Sequence, residues 1–206
     1  MCCQIQAEPD EINISLESKN TYQRQVNLIK EAFSLIGHEI TFKVLPNVRS
    51  MKASNHGDSL GEAFRMVDVK NRYTNLIKVP FELVWIHPFI YKYRNADIHS
   101  IADLKGKTFA SVRGYLSNDY FVEKYDMTLY ELDTVESAFK FLNSGRADLS
   151  FSFNENSKYY KPDVHKDIVR IPGKTESIPL YLWIHKSRQE LIPELVAALK
   201  SLTATE

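Results

Sequence analysis

The chain has 206 residues, 44% hydrophobic and 25% charged, which is the composition of a folded protein and excludes a disordered one. Lys plus Arg and Asp plus Glu both number 26, so the formal charge is zero, without the basic field that nucleic acid or an anionic membrane demands. No apolar run reaches the roughly 20 residues of a membrane span, and the length accommodates one large domain or two small lobes.

The first residues are peculiar. Cys2 and Cys3 are adjacent, a geometry that strains a disulfide, and two thiols cannot complete a four-ligand metal site. They are read as non-structural, and no metal or cofactor is expected. Gln4, Ile5, Gln6 and Ala7, followed by an acidic Pro-containing stretch, are similar to the end of a secretory signal with its small-residue cleavage site. The expectation is a truncated signal peptide, with an unstructured tail as the alternative.

Residues 12–16 alternate apolar and polar, the signature of a strand. Tyr22, Val26, Ile29, Phe33 and Ile36 recur at helical spacing, and Gly37 stands where a helix stops. Residues 40–44 alternate again, so the chain opens strand-helix-strand, the unit of a parallel sheet covered by helices. A short helix is expected over 50–57 and a strand over 76–79. The aromatic run 81–93 is broken by Pro88, which cannot donate to a sheet ladder and marks a bend or a strand edge.

Further on, a helical turn over 101–107 leads to a strand over 108–112, and Gly114 turns it into a helix near 117–124. A strand over 129–132 follows. Asp133, with Glu136 three residues on, caps a helix whose buried stripe is Val135, Ala138, Phe139 and Leu142. Residues 147–153 and 178–184 are strands, and 188–202 form the last helix, with Leu191, Leu195, Leu199 and Leu202 inward. Strands and helices alternate throughout, which is the α/β class.

Motifs that carry chemistry are absent. There is no Gly-x-Gly-x-x-Gly, no phosphate-binding loop, no Gly-x-Ser-x-Gly and no His-Glu-x-x-His, and the six histidines have no metal-ligand spacing. This lowers the expectation of an enzyme, although catalytic groups can converge from distant positions.

Three stretches carry a resemblance. One is Leu45-Pro46-Asn47-Val48-Arg49-Ser50 with Asn55-His56-Gly57 and Gly61-Glu62-Ala63-Phe64-Arg65. The second runs from Asp103 through Gly106 to Arg113-Gly114-Tyr115. The third runs from Val135 through Gly145 to Asp148. Together, in this order, they resemble the extracellular solute-binding protein family 3, the amino-acid-binding-like group with the type 2 periplasmic binding fold.

The resemblance implies two α/β lobes with a mixed, mostly parallel sheet in each. Lobe 1 would be residues 1–84 plus 180–206, and lobe 2 residues 85–179. Ligand would be captured by hinge closure, without covalent chemistry. The implied protein is a soluble monomer, periplasmic or secreted, that takes a small polar ligand and serves an ABC transporter permease. A sensor protein reading the closed state, or a dehydratase-like enzyme using Glu62 or Glu155 as general acid, are the alternatives.

The resemblance also implies ligand contacts. Arg65 ends a strand that carries binding groups in the family, and its planar guanidinium suits a carboxylate. Arg72 and Arg49 lie near the same segments. Tyr115, Ser117 and Asn118 open a helix whose free N–H groups suit an anionic oxygen. Trp85, with Phe89, Tyr91 and Trp183, falls near the expected crossings and could line a cleft or fill a core. Tyr159 and Tyr160 could reach the cleft by the same logic. Amino-acid binders of the family place an acidic residue after the strand that corresponds to 147–153. Here Phe153 and Asn154 stand there, with Glu155 next, so an α-amino acid is not the default ligand.

Overall fold

The computed structural model describes residues 10–14, 16–66, 69–115, 117–153, 164–171 and 176–204. They fall into two compact units, Met1–Val84 with Pro179–Glu206, and Trp85–Ile178. The chain passes from the first unit to the second within one strand and returns within another.

Unit 1 begins with strand β1 (Asp10–Ile14), helices α1 (Leu16–Thr21) and α2 (Gln23–Leu35), and β2 (Ile40–Val44). Next come α3 (Asn47–His56), β3 (Gly61–Arg65), the single turn α4 (Val69–Arg72) and β4 (Leu76–Ile86). On α2 the helical stripe buries Val26, Ile29, Ala32 and Phe33, the three larger side chains each contributing roughly 1.5–3 kcal/mol when fully buried. Helix α3 starts three residues before the sequence expectation, because Pro46 at its N-cap fixes an extended entry, and it ends on Gly57 in the left-handed conformation. The expected strand at 76–79 extends to Ile86.

Unit 2 contains β5 (Phe89–Tyr93), a 3-10 turn (Ile101–Leu104), β6 (Thr108–Val112), α5 (Ser117–Tyr125) and β7 (Thr128–Leu132). It continues with α6 (Val135–Asn143), β8 (Leu149–Ser152) and β9 (Ile168–Arg170). The cap of α6 is Thr134 rather than Asp133: its side chain accepts from the Ser137 N–H, and its extended backbone is the N-cap conformation. Thr134→Ala is expected to cost about 1 kcal/mol in urea unfolding. Strand β9 carries no alternation that single-sequence reading could detect. The chain re-enters unit 1 through β10 (Ile178–His185), a 3-10 segment (Lys186–Leu191) and α7 (Ile192–Thr203).

Each unit has one five-stranded mixed sheet. In unit 1 the order is β2-β1-β3-β10-β4, with β1 parallel to β2 and β3, and β10 antiparallel to β3. In unit 2 the order is β7-β6-β8-β5-β9, with β6 parallel to β7 and β8, and β5 antiparallel to β8 and β9. The unit 2 sheet therefore divides evenly between the two modes.

The core of unit 1 is built on Ile12, Ile14, Phe33, Met51, Leu182 and Trp183, all fully or almost fully buried. In unit 2, Tyr91 meets Phe139 edge-on at 5.2 Å, and Phe121 stacks on Phe151 at 4.1 Å. Such ring pairs add about 0.5–1.5 kcal/mol beyond their buried area.

Candidate functional site

In an open α/β sheet, ligands meet the carboxyl ends of the strands where the strand order reverses. Both sheets contain such a point. In unit 1, β1 is followed to one side by β2 and the chain then returns to place β3 on the other, so the reversal lies between β1 and β3. In unit 2 it lies between β6 and β8 by the same reasoning. The carboxyl ends concerned are Ile14 and Arg65 in unit 1, and Val112 and Ser152 in unit 2.

The unit 1 point holds a buried polar cluster. Glu62, fully buried, accepts from Ser50 Oγ at 2.6 Å, Ser54 Oγ at 3.1 Å and Arg65 Nη2 at 2.5 Å. Arg65 Nη2 also donates to Asn47 Oδ1 at 3.3 Å. Asn13, opposite Glu62 in the parallel ladder, donates to Ser54 Oγ at 2.8 Å and Ser59 Oγ at 3.0 Å. Both side chains of the Glu62–Arg65 pair are almost withdrawn from solvent, at 0% and 10% exposure. Arg65 Nε and Asn13 Oδ1 are buried with no hydrogen-bond partner among the described residues.

A β-bulge creates this pair. Glu62 lies opposite Trp183 and Arg65 opposite Tyr181, so Ala63 and Phe64 together face the single residue Leu182. A regular strand would send residues 62 and 65 to opposite faces. The extra residue resets the alternation, and Phe64 pays with φ at +62°, the left-handed region that a bulky side chain rarely enters. Strain of this kind concentrates at functional sites.

Arg65 is therefore an arginine whose charge is already balanced. Arg72 is exposed on α4, just beyond the carboxyl end of β3, and Arg49 is exposed on α3. The aromatic residues divide between two roles. Trp183 and Tyr91 are core residues, with Trp183 Nε1 donating to the Arg65 carbonyl at 3.3 Å. Trp85 is 47% exposed, and Phe89 receives the Arg170 guanidinium over its ring at 5.7 Å.

In unit 2, β6 ends at Val112 and Gly114 makes the turn with φ of +78°. Tyr115 N–H donates to Val112 O at 3.2 Å, and Ser117 opens α5 half-buried. Asn118 is almost fully buried and donates its side-chain amide to Val112 O at 2.9 Å, while its Oδ1 has no partner among the described residues. Acidic groups stand close by: Glu131 Oε1 accepts from the Gly114 N–H at 3.3 Å, and Asp119 lies in the first turn of α5. Asn154, Glu155, Tyr159 and Tyr160, like Cys2, Cys3 and the signal-like start, lie outside the described residues.

Sequence reasoning passed over Asn13, Ser50 and Ser54, because isolated Asn and Ser on a strand and a helix carry no local signal. A groove of about 460 Å³ on unit 1 is lined by α2, β4 and α7, including Glu31, Glu82 and Thr203, and by no residue of the polar cluster. Among the described residues no group of three His, Cys, Asp or Glu side chains could hold a metal ion. No helix among them is long and apolar enough to cross a membrane.

Comparison with solved structures settles the architecture. The probable amino-acid ABC transporter extracellular-binding protein of Bacillus subtilis superimposes with a TM-score of 0.68 at 19% identity, over 97% of this chain and 94% of that one. This is the periplasmic-binding-protein fold. A histidine kinase sensor domain similar to periplasmic binding proteins also reaches 0.68, at 14% identity, over 96% of this chain and 91% of that one. An ancestral arginine-binding protein bound to arginine gives 0.64 at 19% identity, over 96% of this chain and 93% of that one. No family model and no curated protein matches the sequence.

Proposed function

We propose that the chain is a solute-binding protein that closes on a small polar ligand, anionic or amino-acid-like, and delivers it to an ABC permease from the periplasm or the cell exterior. The observation that carries this reading is the pairing of polar groups with the reversal point of each sheet: Arg65 and the Glu62 cluster in one, Tyr115, Ser117 and Asn118 in the other. The structural neighbours support it. One is an ancestral arginine-binding protein and another a probable amino-acid ABC transporter extracellular-binding protein.

Because Glu62 already neutralises Arg65, an anionic ligand group would be met by Arg72 and by the amino end of α5. Asn154 or Glu155 would face any positive end, and Trp85 would cover an apolar part. The dehydratase alternative is weakened at Glu62. A carboxylate engaged by three donors is an acceptor, not a proton source.

A thermal-shift panel of L-arginine, L-glutamine, acidic amino acids and small organic anions tests the reading. A solute at one hundred times its Kd stabilises by about 2.7 kcal/mol. Arg72→Ala should abolish an anion's shift in the same panel. A panel with no stabilising solute would sink the proposal.

The similarity to a histidine kinase sensor domain favours a second reading, a sensor whose closed state a signalling partner reads. Capture of a kinase-type partner only in the presence of the stabilising solute separates it from transport.

A further inference from the structure

The helix that offers its amino end to a ligand is held near its other end by one carboxylate. Glu176, two residues before β10, accepts from three side chains of α5: the Tyr120 hydroxyl at 2.9 Å, the Tyr125 hydroxyl and the Lys124 ammonium. Lys124 also donates to the Tyr120 hydroxyl at 2.8 Å. Its ammonium lies over the Tyr120 ring at 5.1 Å and the Tyr125 ring at 5.5 Å. The next residue, Ser177, places its hydroxyl 3.2 Å from Nδ1 of His87, in the turn that joins β4 to β5. Residues 176 and 177 thus bond to α5 and to the turn that follows β4, and they lead directly into β10. The chain passes between its two units through β4 and β10.

We propose that Glu176 and Ser177 form a tether, within the second unit, that fixes α5 to the turn after β4 and to the segment leading into β10. Glu176 is then a positioning residue for Ser117 and Asn118. That role rests on the solute-binding reading, whereas the tether itself does not.

The tether has a defined pH dependence. Burial pushes the Glu176 carboxyl up, but the bonds from Lys124, Tyr125 and Tyr120 outweigh it and hold the group below its ordinary value. A depressed carboxyl contributes stability above its unfolded pKa of about 4.3, and that contribution is lost as pH falls through the folded value. The groups facing the carboxylate are Tyr120, Lys124 and Tyr125, with His87 beside Ser177. Burial and the Glu176 carboxylate raise both tyrosines. Burial lowers Lys124, but its bonds to Glu176 and Tyr120 outweigh that and raise it, so all three stay protonated through the acid range.

Hydrogen exchange on the full, ligand-free chain tests this, comparing wild type, Glu176→Gln and Tyr125→Phe from pH 7 down to about 3.5 after correction for intrinsic rates. At pH 7, Glu176→Gln should speed exchange of the α5 amides about tenfold and leave the α6 amides unchanged, with Tyr125→Phe in between. On acidification the wild type should approach the rate of Glu176→Gln, which itself should stay flat. Unchanged α5 exchange, equal acceleration in α6, or the same pH dependence in both proteins would overturn the tether. A thermal-shift panel without a hit would instead sink the solute-binding reading and leave the tether standing.

Discussion

Glu62→Gln is expected to cost about 3–5 kcal/mol of unfolding free energy, the penalty of leaving one partner of a buried pair without its counter-charge. Glu62 is fully buried and Arg65 nearly so, and Arg65 Nη2 has only the longer bond to Asn47 once Glu62 is neutral. Ser50 and Ser54 already share Oε2 while Arg65 takes Oε1, so a Gln whose amide oxygen serves the serines turns its NH2 on the Arg65 guanidinium, donor against donor. Exchanging both residues for Met should cost far less, or even stabilise, because the cluster then has no charge to solvate. Urea unfolding of the single and double variants measures the difference. A loss under about 1 kcal/mol for Glu62→Gln would mean that water reaches Arg65 and the pair is not a buried one.

Gly61→Ala is the second large effect. A Cβ at this position would stand 2.0 Å from the Trp183 carbonyl oxygen and 3.1 Å from the Ile184 Cα, both backbone atoms of the paired strand β10. Neither can swing aside as a side chain could. β3 must separate from β10, next to the bulge that pairs Glu62 with Arg65. The expected cost is at least about 3 kcal/mol, the upper end for overpacking. In a chain of this size that lowers the melting temperature by roughly 6–12 °C, read by circular dichroism. A variant that melts with the wild type would show that β3 and β10 do not approach this closely.

Much of the architecture was legible in the sequence because it rests on local signals. The alternation at 40–44 is strand β2 to the residue, and the stripe from Val26 to Phe33 is the buried face of α2. Gly37, Gly57 and Gly145 have positive φ at or just beyond the ends of helices, which is what a glycine after an apolar stripe announces. Misplaced boundaries have physical causes. β4 runs on to Ile86 because an edge strand tolerates Pro80, whose missing N–H would break a central ladder. α6 begins after Thr134 because a threonine in extended backbone caps as well as the aspartate before it.

The candidate site was legible only in part. Arg65 ends β3, and Ser117 and Asn118 open the helix that follows β6, positions that follow from alternation and turn glycines. What those residues touch was not legible. Arg65 reads from the sequence as a free anion anchor, yet its partner is three residues away on what a regular strand makes the opposite face.

The sequence by itself determined the succession of strands and helices, and with it the α/β class, because hydrophobic period and helix-ending glycines act over a few residues. The tertiary structure alone decided the state of Arg65. The bulge exists because β3 pairs with β10, more than a hundred residues along the chain, and the shift there turns Glu62 and Arg65 to one side. No local pattern records a register set by so distant a partner.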